Sequence, residues 1–178
     1  MPRPPSITAD DLTDALIRVV VERGLDAVSI REVAREAGVS IGAVQHYFAT
    51  KDDLLYAAYA RAIDQVVARA ATLPQEPGAY VRALLRELLP LDAQREAELR
   101  VALAFTARSV HSPRLAELYE AGYAALVDAV AAVLGRPAAV EAVAVADGLA
   151  WHALCALSVL SPEAAAGALD AYLTRVMT

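Results

Sequence analysis

One short stretch of the chain gathers polar side chains behind two very small residues: Gly42 and Ala43 precede Gln45, His46 and Tyr47, with Thr50 and Lys51 just beyond. The Gln45 amide carries a donor and an acceptor side by side, which suits N6 and N7 of adenine, and an Ala43 methyl can meet a thymine methyl. His46, Tyr47 and Lys51 can reach phosphates, as can Arg31 upstream. Thr50 is placed to cap a following helix, whose first N–H groups would face an anion. A second group lies far downstream. Asp147 and Trp151 are four residues apart, on one helix face, where a carboxylate and an indole can hold a cationic or hydrogen-bonding group. Phe105, Tyr119, Tyr123 and His152 are the other bulky or polar-tipped residues in a background of Ala, Leu and Val. Large aromatics among alanines can wall a cavity, although each also reads as ordinary core packing.

Catalytic constellations are missing from the sequence. Carboxylate-bridged metal enzymes of the bundle type need Glu-x-x-His on core helices. The residues three before His46, His111 and His152 are Ala43, Arg108 and Leu149. There is no phosphate-binding glycine loop, no His-Glu-x-x-His and no Gly-x-Ser-x-Gly. The expectation is a protein that is not an enzyme and uses neither a metal nor a cofactor.

The elements that must position these groups are helical throughout. Capping boxes are expected at Thr8–Asp11, Ser29–Glu32 and Thr50–Asp53, with left-handed helix ends at Gly24 and Gly38. Apolar spacing between them predicts helices over 9–23, 30–37 and 51–72, and a shorter one between Ser40 and Phe48. The second and third, joined around Gly38, form a helix-turn-helix, with Phe48 and Val44 as core. Pro74 and Pro77-Gly78 mark a composition break. Further helices are expected over 79–89, 93–110, 114–134, 138–160 and 163–177, which makes an all-α chain of about nine helices.

Composition narrows the class. The 178 residues are 57% apolar and 21% charged, enough to bury a core without staples. Cys155 is the lone cysteine, so no internal disulfide is possible. Met-Pro-Arg-Pro-Pro reads as a short disordered lead-in rather than a secretion signal, and a cytoplasmic protein is expected. Residues 138–160 are long and apolar enough to cross a bilayer, but Glu141, Asp147 and His152 interrupt them and no basic flank orients them, so a buried helix fits better. The net charge is −6, and residues 1–64 hold seven basic against ten acidic side chains, a balance of −3. A surface that binds nucleic acid is usually basic, so composition alone does not point there.

The run from Ser29 to Leu55 resembles the DNA-binding signature of the TetR family of transcriptional regulators. The resemblance rests on the capped second helix, the Ala37-Gly38-Val39-Ser40 turn, Gly42, the His46-Tyr47-Phe48 run and Lys51 opening a helix. It covers roughly residues 8–60, and beyond that it is architectural. It implies that the third helix enters a major groove and that a homodimer binds a near-palindromic operator. The implied DNA-facing set is Arg31, Ser40, Ile41, Ala43, Gln45, His46, Tyr47, Thr50 and Lys51, with Arg3 trailing along the backbone. Family members often carry Thr where Ala43 stands and Tyr where Gln45 stands, which shifts the expectation towards base reading at Gln45.

The resemblance also divides the chain into a DNA-binding part, 1–50, and a ligand-binding and dimerisation part, 51–178, linked by the helix over 51–72. A small, largely apolar or amphiphilic effector would bind among Phe105, Tyr119, Tyr123, Asp147, Trp151 and His152 and release the operator. The last two helices read as a dimer interface, with Ala146, Gly148, Ala150 and Ala153 allowing close approach. The competing reading is a helix-turn-helix protein that binds DNA without a ligand or under control of another protein. Arg35 and Glu36 read as plain surface residues.

Overall fold

Most helix starts in this protein follow from side chains able to satisfy the orphan N–H groups of a first turn, while the helices that begin after Ser112 and Gly135 have no side-chain cap and carry a proline in the first turn instead. The structure, a computed structural model, describes residues 7–178. Among the described residues nine α-helices succeed one another: α1 (Ala9–Arg23), α2 (Ile30–Ala37), α3 (Ile41–Tyr47), α4 (Lys51–Ala70), α5 (Pro77–Arg86), α6 (Ala93–Ser109), α7 (Pro113–Leu134), α8 (Arg136–Cys155) and α9 (Pro162–Val176), with a 3-10 turn at Leu25–Ala27. Thr8 and Thr50 make reciprocal capping boxes with Asp11 and Asp53. The box expected at Ser29 is only half made. Ser29 Oγ accepts from Glu32 N at 3.1 Å, but the Glu32 carboxylate takes N–H groups of Arg23 at 2.6 Å and Arg35 at 2.7 Å. Charge-assisted bonds from two guanidiniums outcompete one neutral amide.

Three further expectations need correction. Gly38 does adopt the left-handed helical conformation (φ 68°, ψ 30°), whereas Gly24 turns the chain with φ 77° and ψ 172°, an extended geometry reserved for glycine. The helix expected to run to residue 160 stops at Cys155, because the chain must reverse before Ser161 caps α9 and Pro162 enters its first turn. Glu36 is no idle surface group: it accepts from Arg18 and Arg23, each at 2.9 Å, and fastens α1 to α2.

α3 spans seven residues, too few to hold together unaided. It is fixed by Val44 and Phe48, which join Leu12, Leu16, Val19 and Val33 in one core. Each such side chain contributes roughly 1.5–3 kcal/mol on burial. The same core includes Val101 and Ala104 of α6, so packing crosses the composition break at Pro74. A second core joins α5 to α9 through Val81, Leu85, Leu89, Val130, Val143, Leu169 and Leu173.

α8 passes for a membrane span by length and composition (mean hydropathy 1.3). In the fold it packs through Ala139, Ala142, Ala146, Ala150 and Ala153, all buried within the chain. That corrects one expectation. Of the small residues assigned to close approach by a second copy, Ala146, Ala150 and Ala153 serve the chain's own core, and only Gly148 stays partly exposed.

α4 is common to both halves of the molecule. Arg61 reaches Asp10 and Asp14 of α1, each at 3.1 Å. Near the other end, Arg69 pairs with Glu87 at 2.5 Å and Glu98 at 2.7 Å. Between them α4 crosses α7 closely: a methyl placed on Gly122 would come within 3.2 Å of Ile63 Cδ1.

Candidate functional site

The outer face of α3 is open. Arg31, Ser40, Ile41, Gln45, His46, Tyr47 and Thr50 are exposed, and Ala43 and Lys51 are half-buried. Helical spacing puts Ile41 and Gln45 on one face, with Gly42 beside them and Val44 turned to the core. Among the described residues a Cβ on Gly42 would meet only Ser40 Oγ, at 3.8 Å, so none of them obstructs a close approach there. Ser40 and Thr50 are both engaged as caps. Ser40 Oγ accepts from Ala43 N at 3.1 Å, and the Thr50 hydroxyl both accepts from Asp53 N and donates to its carboxylate. Thr50 therefore offers an anion the N–H groups of α4 more readily than its own hydroxyl. Tyr47 stands edge-on to His46, with ring centroids 5.1 Å apart, and its hydroxyl donates to the Ile7 carbonyl at 2.8 Å. Arg3, the remaining candidate, lies outside the described residues.

The second site is a cavity of ≈ 830 Å³ bounded by α4, α5, α6, α7 and α8. Tyr119, Tyr123, Asp147 and Trp151 line it, as do Tyr59, Ile63, Tyr80, Leu99, Gly122 and Leu126. Phe105 and His152, proposed for the same pocket, do not line it. Phe105 is fully buried and stacks flat against Tyr59, with centroids 3.9 Å apart, which places it one layer behind the wall. His152 follows Trp151 by one residue and so turns away around α8, where it is exposed. Tyr59, Tyr80 and the polar rim were missed by sequence reasoning. A signal for Tyr59 was present, since it follows Leu55 by one helical turn.

The cavity has two polar ends. At one, burial pushes the Asp147 carboxyl up to about 6, and no ion pair involves it among the described residues. Burial, assisted by Tyr119 and Asp147, pushes the Tyr59 hydroxyl up to about 12, and burial together with Asp147 raises Tyr119. Both phenols thus remain protonated donors around an incompletely solvated carboxylate. At the other end, Glu87, Arg95 and Glu98 reach the lining. Arg69 bonds both glutamates and Arg95 meets Glu87 at 3.2 Å, so that end is internally neutralised. Among the described residues, no group of three or more His, Cys, Asp or Glu could hold a metal ion.

Comparisons with known proteins address both halves. A family model described as bacterial regulatory proteins, tetR family, matches residues 12–58. A second, described as BetI-type transcriptional repressor, C-terminal, matches residues 77–178. The HTH-type transcriptional regulator PksA of Bacillus subtilis (strain 168) is 36% identical over 103 residues, which is 56% of this chain and 50% of PksA. The chain therefore matches half the length of that relative. A transcriptional regulator from Rhodococcus sp. Rha1 has a crystal structure with a TM-score of 0.90 to this fold, 35% identity and 96% coverage of each chain. The multidrug binding protein EbrR, solved in complex with malachite green, is 30% identical with a TM-score of 0.74, covering 96% of this chain and 98% of that one.

Proposed function

The chain belongs to the TetR family of bacterial regulators, with a C-terminal region of the BetI repressor type, and from that premise we propose that it is a ligand-responsive transcriptional repressor. One observation carries the reading. α4 begins with Lys51 beside the open face of α3, and its C-terminal half supplies Ile63, Val66, Val67 and Ala70 to the wall of the cavity. A molecule in that cavity therefore bears on the helix that follows α3 and opens with Lys51. Residues 1–50 form the DNA-binding part, and 51–178 bind the effector and dimerise.

α3 enters a major groove, where Gln45 reads a base edge while Ala43 and Ile41 contact neighbouring bases. Arg31, Ser40, His46, Tyr47, Thr50 and Lys51 face phosphates and fix the register. A homodimer holds two such helices one DNA turn apart, about 34–36 Å, on a near-palindromic operator. The dimer face is the outer side of α8 and α9, where Val140, Ala164, Gly167, Ala168 and Ala171 are exposed among the described residues. A regulator of this kind works in the cytoplasm, and its role requires no catalytic step.

The effector is an amphiphilic organic cation. The cavity is of drug-ligand size, its wall carries five aromatic rings, and Asp147 has no ion-pair partner among the described residues. Cations gain most from aromatic faces and carboxylates in such partly desolvated sites. EbrR, which accommodates malachite green in the same fold, agrees with this. Binding that disfavours the DNA-competent arrangement by about 1–3 kcal/mol reduces operator affinity 5- to 150-fold.

The test is selection of bound duplexes from a random pool, followed by anisotropy titration with and without malachite green as a probe. An enriched inverted repeat, bound as a dimer and released by the dye, is the expected result. No enrichment at low salt overturns the DNA-binding reading. An operator that no cationic probe displaces leaves the ligand-independent reading in its place.

A further inference from the structure

The end of α4 that faces DNA in the proposed complex has an awkward charge. Its opening residues, Lys51-Asp52-Asp53, set two carboxylates against one ammonium. Acidic residues in a first turn suit the helix dipole, but here they repel a phosphate that approaches the same helix end. The compensating charge comes from the other half of the molecule. Arg108, in the last turn of α6, donates Nε–H to Asp52 Oδ1 at 2.8 Å. Arg114, in the first turn of α7, donates to Asp53 Oδ1, and its guanidinium carbon lies 4.7 Å from the centre of the Tyr56 ring. Arg108 holds the Asp52 carboxyl below its ordinary range, helped by a hydrogen bond from Ser112. Thr50, and then Arg114, do the same for Asp53. The arginine side chains are still 48% and 59% exposed, so their charge is felt in solvent rather than sequestered.

We propose that Arg108 and Arg114 are positioning residues for operator binding: the effector-binding half lends two cations to the N-terminus of α4 and reverses the sign of the charge that a DNA phosphate meets there. The inference rests on the DNA-binding reading above. Taken alone, the first three residues of α4 carry −1, and with the two arginines the cluster carries +1. The two cations also reduce the balance of −3 carried by residues 1–64 to −1, with the change concentrated where a phosphate approaches. The same contacts give the two halves of the molecule an electrostatic link. Separation of α6 and α7 from α4 withdraws both cations and leaves two bare carboxylates facing the phosphate.

The test uses the full chain, the selected operator and anisotropy at two salt concentrations, with thermal melts to establish folding. Arg108→Gln is expected to weaken binding about fivefold at low salt, with a shallower salt dependence. Arg108→Lys, which keeps the charge, is expected to stay near wild type. Asp52→Asn serves as the control, because Asp53 also caps α4. A purely structural pair predicts that Asp52→Asn weakens binding as much as Arg108→Gln, since each breaks the same contact. Charge compensation predicts that Asp52→Asn binds at least as well as wild type and restores Arg108→Gln to within about twofold. An Arg108→Gln protein that binds normally, or an Asp52→Asn change that fails to rescue it, overturns the proposal. A wild-type chain that binds no duplex instead overturns the DNA-binding reading itself, so the two failures are distinct.

Discussion

The hydroxyl of Tyr47, at the end of α3, donates to the backbone carbonyl of Ile7, 2.8 Å away and 40 residues earlier in the chain. The bond fixes where the chain enters α1 relative to the helix proposed to read DNA. Tyr47→Phe removes the hydroxyl while keeping the ring against His46. It should lower stability by about 0.5–1 kcal/mol, a modest loss for a partly exposed bond. Operator affinity should fall as well, because the tether that sets α3 against the entry to α1 is gone. Melting curves beside anisotropy titrations separate the two effects, and a variant that melts normally yet binds weakly assigns the hydroxyl to DNA.

Gln45 and Lys51 should fail differently. Gln45→Ala should cost about 1–3 kcal/mol on the selected operator and relax preference at one base step. Lys51→Ala should weaken all duplexes alike and reduce the salt slope by about one. Titration of the operator and one shuffled duplex at several salt concentrations checks both. Uniform loss for Gln45 or selective loss for Lys51 would exchange their roles.

Asp147 should make the protein pH-sensitive in a defined direction. Its carboxyl titrates at about 6 in the fold, against an ordinary 3.8. The folded state thus binds the proton more tightly than the unfolded chain, and stability falls as pH rises between those values. Asp147→Asn should remove that loss, gaining about 2 kcal/mol above pH 6 relative to wild type once partial solvent access is allowed for. Cation affinity should move oppositely, rising in wild type as pH passes 6 and becoming weak and flat in the variant. Denaturation and dye binding across pH 4 to 8 test both signs. Parallel profiles for the two proteins would remove Asp147 from the cavity's chemistry.

The helical glycines Gly148 and Gly167 bear on the proposed dimer. A Cβ at either would meet nothing within 4 Å among the described residues, so their packing does not demand glycine there. Gly167→Arg should leave the single chain folded, with a helix-propensity gain of up to about 1 kcal/mol, while sedimentation shifts from dimer to monomer and operator binding collapses. A variant that remains dimeric would move the interface elsewhere.

Local features of the fold were legible because their causes are local. Thr8, Thr50 and Ser40 announce helix starts, Gly38 the turn, and Val44 with Phe48 the buried side of α3. What escaped was decided between helices. Glu32 could not be read as diverted from its cap without knowing that Arg23 folds back onto α2. Phe105 and Tyr59 are both aromatics in helical surroundings, and only the rotation of α6 against α4 decides which one lines the cavity. The alanines of α8 signal close approach, but sequence does not say whether the neighbour is the same chain or another copy. The polar end formed by Arg69, Glu87 and Glu98 resembles a solvated surface until three separate helices are brought together.

The tight crossing of Ile63 over Gly122 gives α4 the mechanics of a lever. With about 1.5 Å of rise per residue, roughly 18 Å of rod separates the crossing from Lys51 and roughly 12 Å separates it from Ala71. The fulcrum is therefore off-centre. A tilt that widens the cavity by one ångström at the short arm sweeps the long arm through about one and a half, and that is the arm gripped by Arg108 and Arg114. The largest displacement falls on two half-exposed ion pairs, so a small molecule that nudges one end of the rod loads the contacts at the other.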